Sequence, residues 1–358
     1  MDHKLAFPGR LGQPDLALSS DPRLDPRLRQ AFLATSDATE TMQNAGMGGT
    51  LSSGDGAARC GLMEAIQMQM CPAKVLVPPD ITRATELITG VDGNEILLHI
   101  HRPKKAFSDL PGSIDLHGGG MVMLGASFPP FVRWRDSLAS AGIVVIGVEF
   151  RHAGGMLGNH PFPAGLNDCS TSARWVYSQK RQLGISTLML SGASGGGNLS
   201  LATSLRAKQE GWLSEIDGVY AMCPHISGAY ASKPTDLLSL YENDGYVMNL
   251  DEAAAMAKLY TPDSSDAVNP LAWPYYAHVS DLEGLPPHFI SVHELDPVRD
   301  EGIAYFRKLL SAGVSAACRT ILGSTHGSDI LFRDMAPDTY METERSVIGF
   351  LKSLPPCH

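Results

Sequence analysis

The sequence predicts an α/β fold, with an eight-stranded, mostly parallel sheet covered by helices on both faces. Three observations carry that prediction. Short apolar runs alternate with helical periodicity from Ser113 to the C-terminal region. Two alternating apolar/polar segments precede them, joined by Asp92-Gly93-Asn94 as a hairpin would be. The stretch Leu188 to Lys208 reads as a strand, a glycine-crowded turn at Ser194, and a helix marked by Leu199, Ala202 and Leu205.

The elements follow in order. The hairpin segments are Thr82 to Ile88 and Glu95 to His101. Strands of the buried type follow at Ser113 to Leu116, Ile143 to Val148, Thr187 to Leu190, Ile216 to Met222, Pro287 to Val292 and Ala317 to Leu322. Helical patterns fall at Phe131 to Ala141, Ala164 to Leu183, Gly195 to Glu210, Val298 to Ala312 and Asp338 to Leu354. Alternation of this kind implies right-handed crossovers. It breaks between His225 and His278, where one helical pattern, Asp251 to Tyr260, sits among turn residues. Such a stretch is too long for a simple connection. With residues 1–79, it is assigned to a cap, which leaves 80–224 and 279–358 as the two parts of the core. Residues 1–79 contain a Gly/Ser-rich stretch from Gly46 to Gly56 and a Met-rich helical candidate from Arg59 to Met70. Flexible methionines suit a lid over an apolar pocket.

Bulk properties narrow the function. The chain has 358 residues, 44% hydrophobic and 18% charged, the composition of a globular protein. Its formal charge of −10 argues against nucleic acid or an anionic membrane surface as partner. No run of apolar residues is long enough for stable membrane insertion, and the N-terminus lacks an h-region, so a cytoplasmic location is expected. The six cysteines are scattered and are expected to be reduced. No Cys-x-x-Cys or His-Glu-x-x-His spacing marks a metal site, and no cofactor is expected.

The chemistry sits in four stretches. Gly192-Ala193-Ser194-Gly195-Gly196 is a Gly-x-Ser-x-Gly turn, in which glycines let the serine take a strained conformation and expose its hydroxyl. In a glycine-rich chain that pentapeptide alone is weak evidence. His117-Gly118-Gly119-Gly120, directly after a strand, is far more specific. Bare glycine backbones can turn N–H groups toward a developing oxyanion, and the N–H of Gly195 supplies another donor. Asp296 follows a strand end, and His326 follows the next. The order Ser194, Asp296, His326 supplies a nucleophile, an orienting carboxylate and a base. Glu294 and Asp300 compete for the acid role, though Asp300 falls in the next helix. His288 and His293 read as satisfied strand-end histidines, His117 as a brace for its glycine loop, Asp168 as a structural carboxylate and Cys223 as a small buried hydrophobe.

These stretches, together with Glu149-Phe150-Arg151 and His160-Pro161-Phe162-Pro163-Ala164, resemble the hormone-sensitive-lipase-like family of α/β-hydrolase esterases across about residues 80 to 354. The resemblance implies an α/β-hydrolase fold with a helical cap. It also implies a Ser194, His326, Asp296 triad and oxyanion donors at Gly119 and Gly120, joined by Gly195. The chain departs from the family in Ala193, where an acidic residue is frequent, in Gly195 for alanine, and in Ser328 for an apolar residue. Met121 stands where many relatives have an aromatic, which makes it a candidate substrate-binding residue. The expected activity is hydrolysis of short-to-medium acyl esters through an acyl-enzyme, extending to bulky or lactone esters because the glycine loop leaves room. The alternatives are an acyltransferase using the same intermediate and a non-catalytic small-molecule receptor. A homodimer is an expectation by analogy.

Overall fold

The computed structural model describes residues 9–30, 32–33, 60–61, 64–65, 68, 75–105, 109–155 and 157–355. The Gly46 to Gly56 stretch and most of the Arg59 to Met70 helical candidate lie outside them.

Eight strands form one sheet: β1 Ile81–Thr89, β2 Glu95–Pro103, β3 Leu110–Leu116, β4 Val144–Glu149, β5 Ile185–Ala193, β6 Gly218–Met222, β7 His288–Leu295 and β8 Ala316–Thr325. Their spatial order is β1-β2-β4-β3-β5-β6-β7-β8. The pairs β1/β2 and β2/β4 are antiparallel, and every later pair is parallel. The hairpin closes where Gly90 N donates to Asn94 O at 2.7 Å, with Gly93 at φ 77°. Positive φ at that position explains the glycine.

Neighbouring strand residues point to opposite faces, and the two faces carry separate cores. Ile114, Ile146, Leu190 and Val219 pack on one side with α2 (Ala164–Ser178), α3 (Gly195–Glu210) and α5 (Arg299–Ser311). Val145, Met189 and Tyr220 pack on the other with α1 (Pro129–Ser140) and α6 (Pro337–Ser353). Trp134 meets Tyr340 edge to face there, ring centroids 5.4 Å apart.

Local signals explain the boundaries. Pro129 and Pro130 open α1, where their missing N–H groups are not needed. Gly211, at φ 79°, ends α3. One element differs from expectation: the helix read as Ala164 to Leu183 is broken at Gln179 into α2 and a single turn, Lys180–Leu183, which Gly184 closes at φ 63°. Apolar periodicity continued across the break because Leu183 is buried against the same core.

Between β6 and β7 lies the long insertion. Its helix α4, Leu250–Tyr260, is capped by Asn249, whose side chain accepts from Asp251 N and Glu252 N. Residues 9–30 and 32–33 dock on both the insertion and the core. Arg10 Nε donates to Glu242 O at 2.9 Å, and Tyr246 Oη to Leu16 O at 2.8 Å. Asp25 N donates to Gly323 O at 3.0 Å, and Leu24 and Leu28 share an apolar cluster with Tyr246 and Leu295. Among the described residues, no helix is long and apolar enough to cross a membrane.

Candidate active site

At the carboxyl end of β5 the chain turns into α3 within one residue. Ser194 has φ 57° and ψ −117°, a conformation side chains rarely adopt. Close approach of backbone enforces the flanking glycines. A Cβ on Gly196 would stand 1.8 Å from Leu116 O, and one on Gly192 would stand 2.4 Å from Gly196 O. Strand and helix can meet at this distance only without those side chains.

His326, just past β8, brings Nε2 to 2.8 Å from Ser194 Oγ. Its Nδ1 lies 2.8 Å from Asp296 Oδ2. Asp296 follows β7 and is fully buried; its Oδ1 accepts the Val298 N–H at 3.0 Å. Burial opposes its charge, but the imidazoles of His326 and His293 hold this carboxyl well below the usual range. The other acids have separate work: Glu294 Oε2 accepts Gly323 N at 3.0 Å, and Asp300 Oδ2 accepts Ser239 N at 2.8 Å. Asp168, also buried, binds Arg151 through its guanidinium and backbone N–H.

The glycine loop lies across the turn from Ser194. Gly119 (φ 115°) and Gly120 (φ 60°) sit in the region that favours glycine, and a Cβ on Gly119 would also fall 2.0 Å from Met123 O; one on Gly120 would meet only the movable end of Met256, 2.4 Å away. Their N–H groups donate no backbone hydrogen bond among the described residues. The N–H of Gly195, first in α3, has no intrahelical partner. Buried groups brace the loop from below. His117 stacks on Phe150 at 4.0 Å and its Nδ1 lies 2.8 Å from Gly118 O. Glu149 accepts Ala126 N at 2.9 Å, and Arg135 donates to Ala126 O. Burial opposes the charge on Glu149, yet hydrogen bonding to His99 brings its carboxyl down to about 2.

A cavity of about 1210 Å³ opens over Ser194 and His326. Both the N-terminal segment (Leu18, Phe32, Leu33) and the insertion (Val247, Met248, Met256) line it, with Gly118, Gly119, Gly120, Met123, Phe128 and Phe131 from the core. Met121 is not among the lining residues. It is buried with its Sδ 2.9 Å from where a Cβ on Gly195 would be, so it packs against the turn rather than facing the cavity. Of the methionines that do face it, Met256 lies in the expected cap helix, while Met123, Met248 and Met335 come from parts of the chain where periodicity gave no sign of them.

Behind Asp296 the fold assembles a cluster that motif spacing cannot detect. His293 Nδ1 lies 3.8 Å from Asp296 Oδ2, and Nε2 lies 2.9 Å from Asp329 Oδ1. The second contact is off the line of a straight hydrogen bond and acts as an ion pair. Burial disfavours charge on this ring, but Asp329 and Asp296 on either side raise its affinity for a proton well above the ordinary value. Cys223, at the end of β6, completes the group and also lines the cavity. His293 and Cys223 are therefore more than the satisfied histidine and plain hydrophobe expected from sequence; His288 is half satisfied, its Nδ1 2.7 Å from Pro286 O and its buried Nε2 without a hydrogen-bond partner among the described residues.

Glu301, fully buried in α5, shapes the loop after β6 by accepting Ile226 N at 2.6 Å and Ser227 N at 3.2 Å. Burial raises its carboxyl to about 8, against those hydrogen bonds. A folded-state value above the unfolded one means that stability is fully present below about 4.5 and is lost as pH rises toward 8. Each pH unit inside that window costs up to about 1.4 kcal/mol. The urea midpoint of wild type should therefore fall relative to that of Glu301→Gln from pH 5 to pH 8. Parallel pH profiles would refute this account of Glu301.

Residues 113–329 match the family model described as α/β hydrolase fold. Among solved structures, the chain is similar to brefeldin A esterase, a bacterial homologue of human hormone-sensitive lipase: 40% identity, TM-score 0.86, covering 96% of this chain and 97% of that one. It is also similar to esterase Est22, at 36% identity and TM-score 0.80 over 94% and 99% of the two chains. Carboxylesterase NlhH of Mycobacterium tuberculosis is 29% identical over 77% of this chain and 86% of its own length.

Proposed function

The chain belongs to the hormone-sensitive-lipase-like branch of the α/β-hydrolase family, and from that premise we propose that it is a carboxylic ester hydrolase working through a Ser194, His326, Asp296 triad. The observation that carries this reading is the continuous pair of 2.8 Å contacts from Ser194 Oγ through the His326 ring to Asp296. The relatives named above as esterases support the reaction class.

In this mechanism His326 Nε2 takes the Ser194 proton as Oγ attacks the ester carbonyl carbon. Asp296 keeps the other ring proton on Nδ1 and balances the imidazolium charge. The N–H groups of Gly119, Gly120 and Gly195 receive the oxyanion, the alcohol leaves with the proton carried by His326, and water repeats the cycle on the acyl-enzyme. The stretch 225–278, together with the N-terminal segment 1–79, serves as the cap, and Leu18, Phe32, Val247, Met248 and Met256 from these parts line the cavity above Ser194.

A fluorophosphonate probe tests the reading directly. Mass spectrometry of the labelled protein should give a single adduct on Ser194, with p-nitrophenyl acetate and butyrate hydrolysis lost in proportion. An adduct elsewhere, or activity surviving full labelling, would refute it. The cavity also favours bulky esters. Met256 Cε stands over Gly120, at the end of a flexible side chain. Met256→Ala should raise kcat/KM for a tertiary-alcohol ester relative to a linear one by about tenfold, one to two kcal/mol being typical for a few buried methylenes. An unchanged ratio would remove Met256 from the specificity wall.

A further inference from the structure

The cluster behind Asp296 has the donors, the spacing and the support of a cation site. The donor atoms of Cys223, His293 and Asp296 all lie within 4.8 Å of one another, and all three residues are buried. Four-coordinate zinc, with bonds of about 2.0 to 2.3 Å, holds its donors roughly 3.3 to 3.8 Å apart. The 3.8 Å between His293 Nδ1 and Asp296 Oδ2 is about 0.5 Å wider than the roughly 3.3 Å that zinc sets between an imidazole and a carboxylate donor. Small side-chain shifts would close the rest.

Support comes from outside the donor set. Asp329 Oδ1 stands 2.9 Å from His293 Nε2, and its Oδ2 accepts the Thr343 hydroxyl at 2.8 Å. A carboxylate behind an imidazole is the arrangement that orients metal-bound histidines, and Asp329 stands in that place, in ion-pair contact rather than along a straight hydrogen bond. It leaves Nδ1 aimed at Cys223 and Asp296, where it has no hydrogen-bond partner of good geometry although it is fully buried. A thiolate, an imidazole and a carboxylate select a thiophilic divalent ion over magnesium or calcium.

We propose that Cys223 Sγ, His293 Nδ1 and the Asp296 carboxylate bind a thiophilic divalent cation of the zinc or cadmium type, and that the bound ion switches the enzyme off. Cys223 lines the cavity beside Ser194, so the ion enters by the substrate's route. The thiol proton, with the Nδ1 proton of His293, passes to buffer as the bonds form. Asp296 then faces a dication and no longer balances charge on His326. This second half rests on the triad reading; binding does not.

The test uses EDTA-stripped full-length protein titrated with Cd²⁺, followed by the ultraviolet cadmium–thiolate band, with Zn²⁺ inhibition of p-nitrophenyl butyrate hydrolysis in parallel. Wild type and Ser194→Ala should both develop the band, and Cys223→Ser should lack it. Relative to its own metal-free rate, Cys223→Ser should need about 10- to 100-fold more Zn²⁺ for half inhibition. EDTA should restore wild-type activity. Cys223→Ser is a near-isosteric change, and matching near-ultraviolet circular dichroism to wild type establishes that it folds. An equal band in Cys223→Ser, or none in wild type, would overturn the site. A Cys223-dependent band without inhibition would overturn the switch, and in Ser194→Ala the binding result is read without any reference to activity.

Discussion

Ser194→Ala is expected to lower kcat for p-nitrophenyl butyrate by about 10⁴- to 10⁶-fold, the range seen when the nucleophile of such a triad is removed. The change deletes one oxygen and leaves the turn intact. The close approaches that enforce the glycines involve backbone atoms of Leu116 and Gly196, not the serine hydroxyl. Urea midpoint and near-ultraviolet circular dichroism should thus match wild type, and the residual rate would come from the glycine loop and the cavity acting alone. A variant that keeps more than about a hundredth of wild-type kcat would remove Ser194 from the chemistry, since loss of one hydroxyl's hydrogen bond is enough to explain so small a change.

Asp296→Asn is expected to cost about 10⁴-fold in kcat with little change in KM. The reason can be read from the two oxygens. Oδ1 accepts the Val298 N–H at 3.0 Å, so the amide oxygen of asparagine stays there and its NH₂ group turns to His326. Nδ1 must then accept, the ring proton moves to Nε2, and the base can no longer take the Ser194 proton. The proton sits on the wrong nitrogen while every heavy atom remains in place. Asp296→Ala would leave the ring free to choose its tautomer, so a larger loss in the asparagine variant than in the alanine variant is the signature of this mechanism. Equal losses would point to simple disorder of His326.

Much of this molecule was legible because its constraints are local. Continuous apolar runs such as Val144-Val145-Ile146 and Leu188-Met189-Leu190 place apolar side chains on both faces of a strand, and the two cores on opposite sides of the sheet follow from them. Gly192, Gly196 and Gly119 are visible because backbone atoms approach within about 2.4 Å of where a Cβ would stand, and Gly120 because its φ is positive. Where expectation failed, a contact distant in sequence decided. Met121 reads as a pocket residue by its place in the motif, yet its loop turns it under Gly195. The break at Gln179 is invisible to periodicity, because Leu183 continues the apolar face beyond it.

By itself the sequence determined the strand order along the chain, the strained serine turn and the identities of the candidate nucleophile, base and acid, since each is dictated by steric limits acting over a few residues. Tertiary structure alone decided which side chains wall the cavity and that Cys223, His293 and Asp329 gather behind Asp296. Those groups come from the ends of β6 and β7 and from the turn after β8, and only parallel packing of the strands sets them side by side.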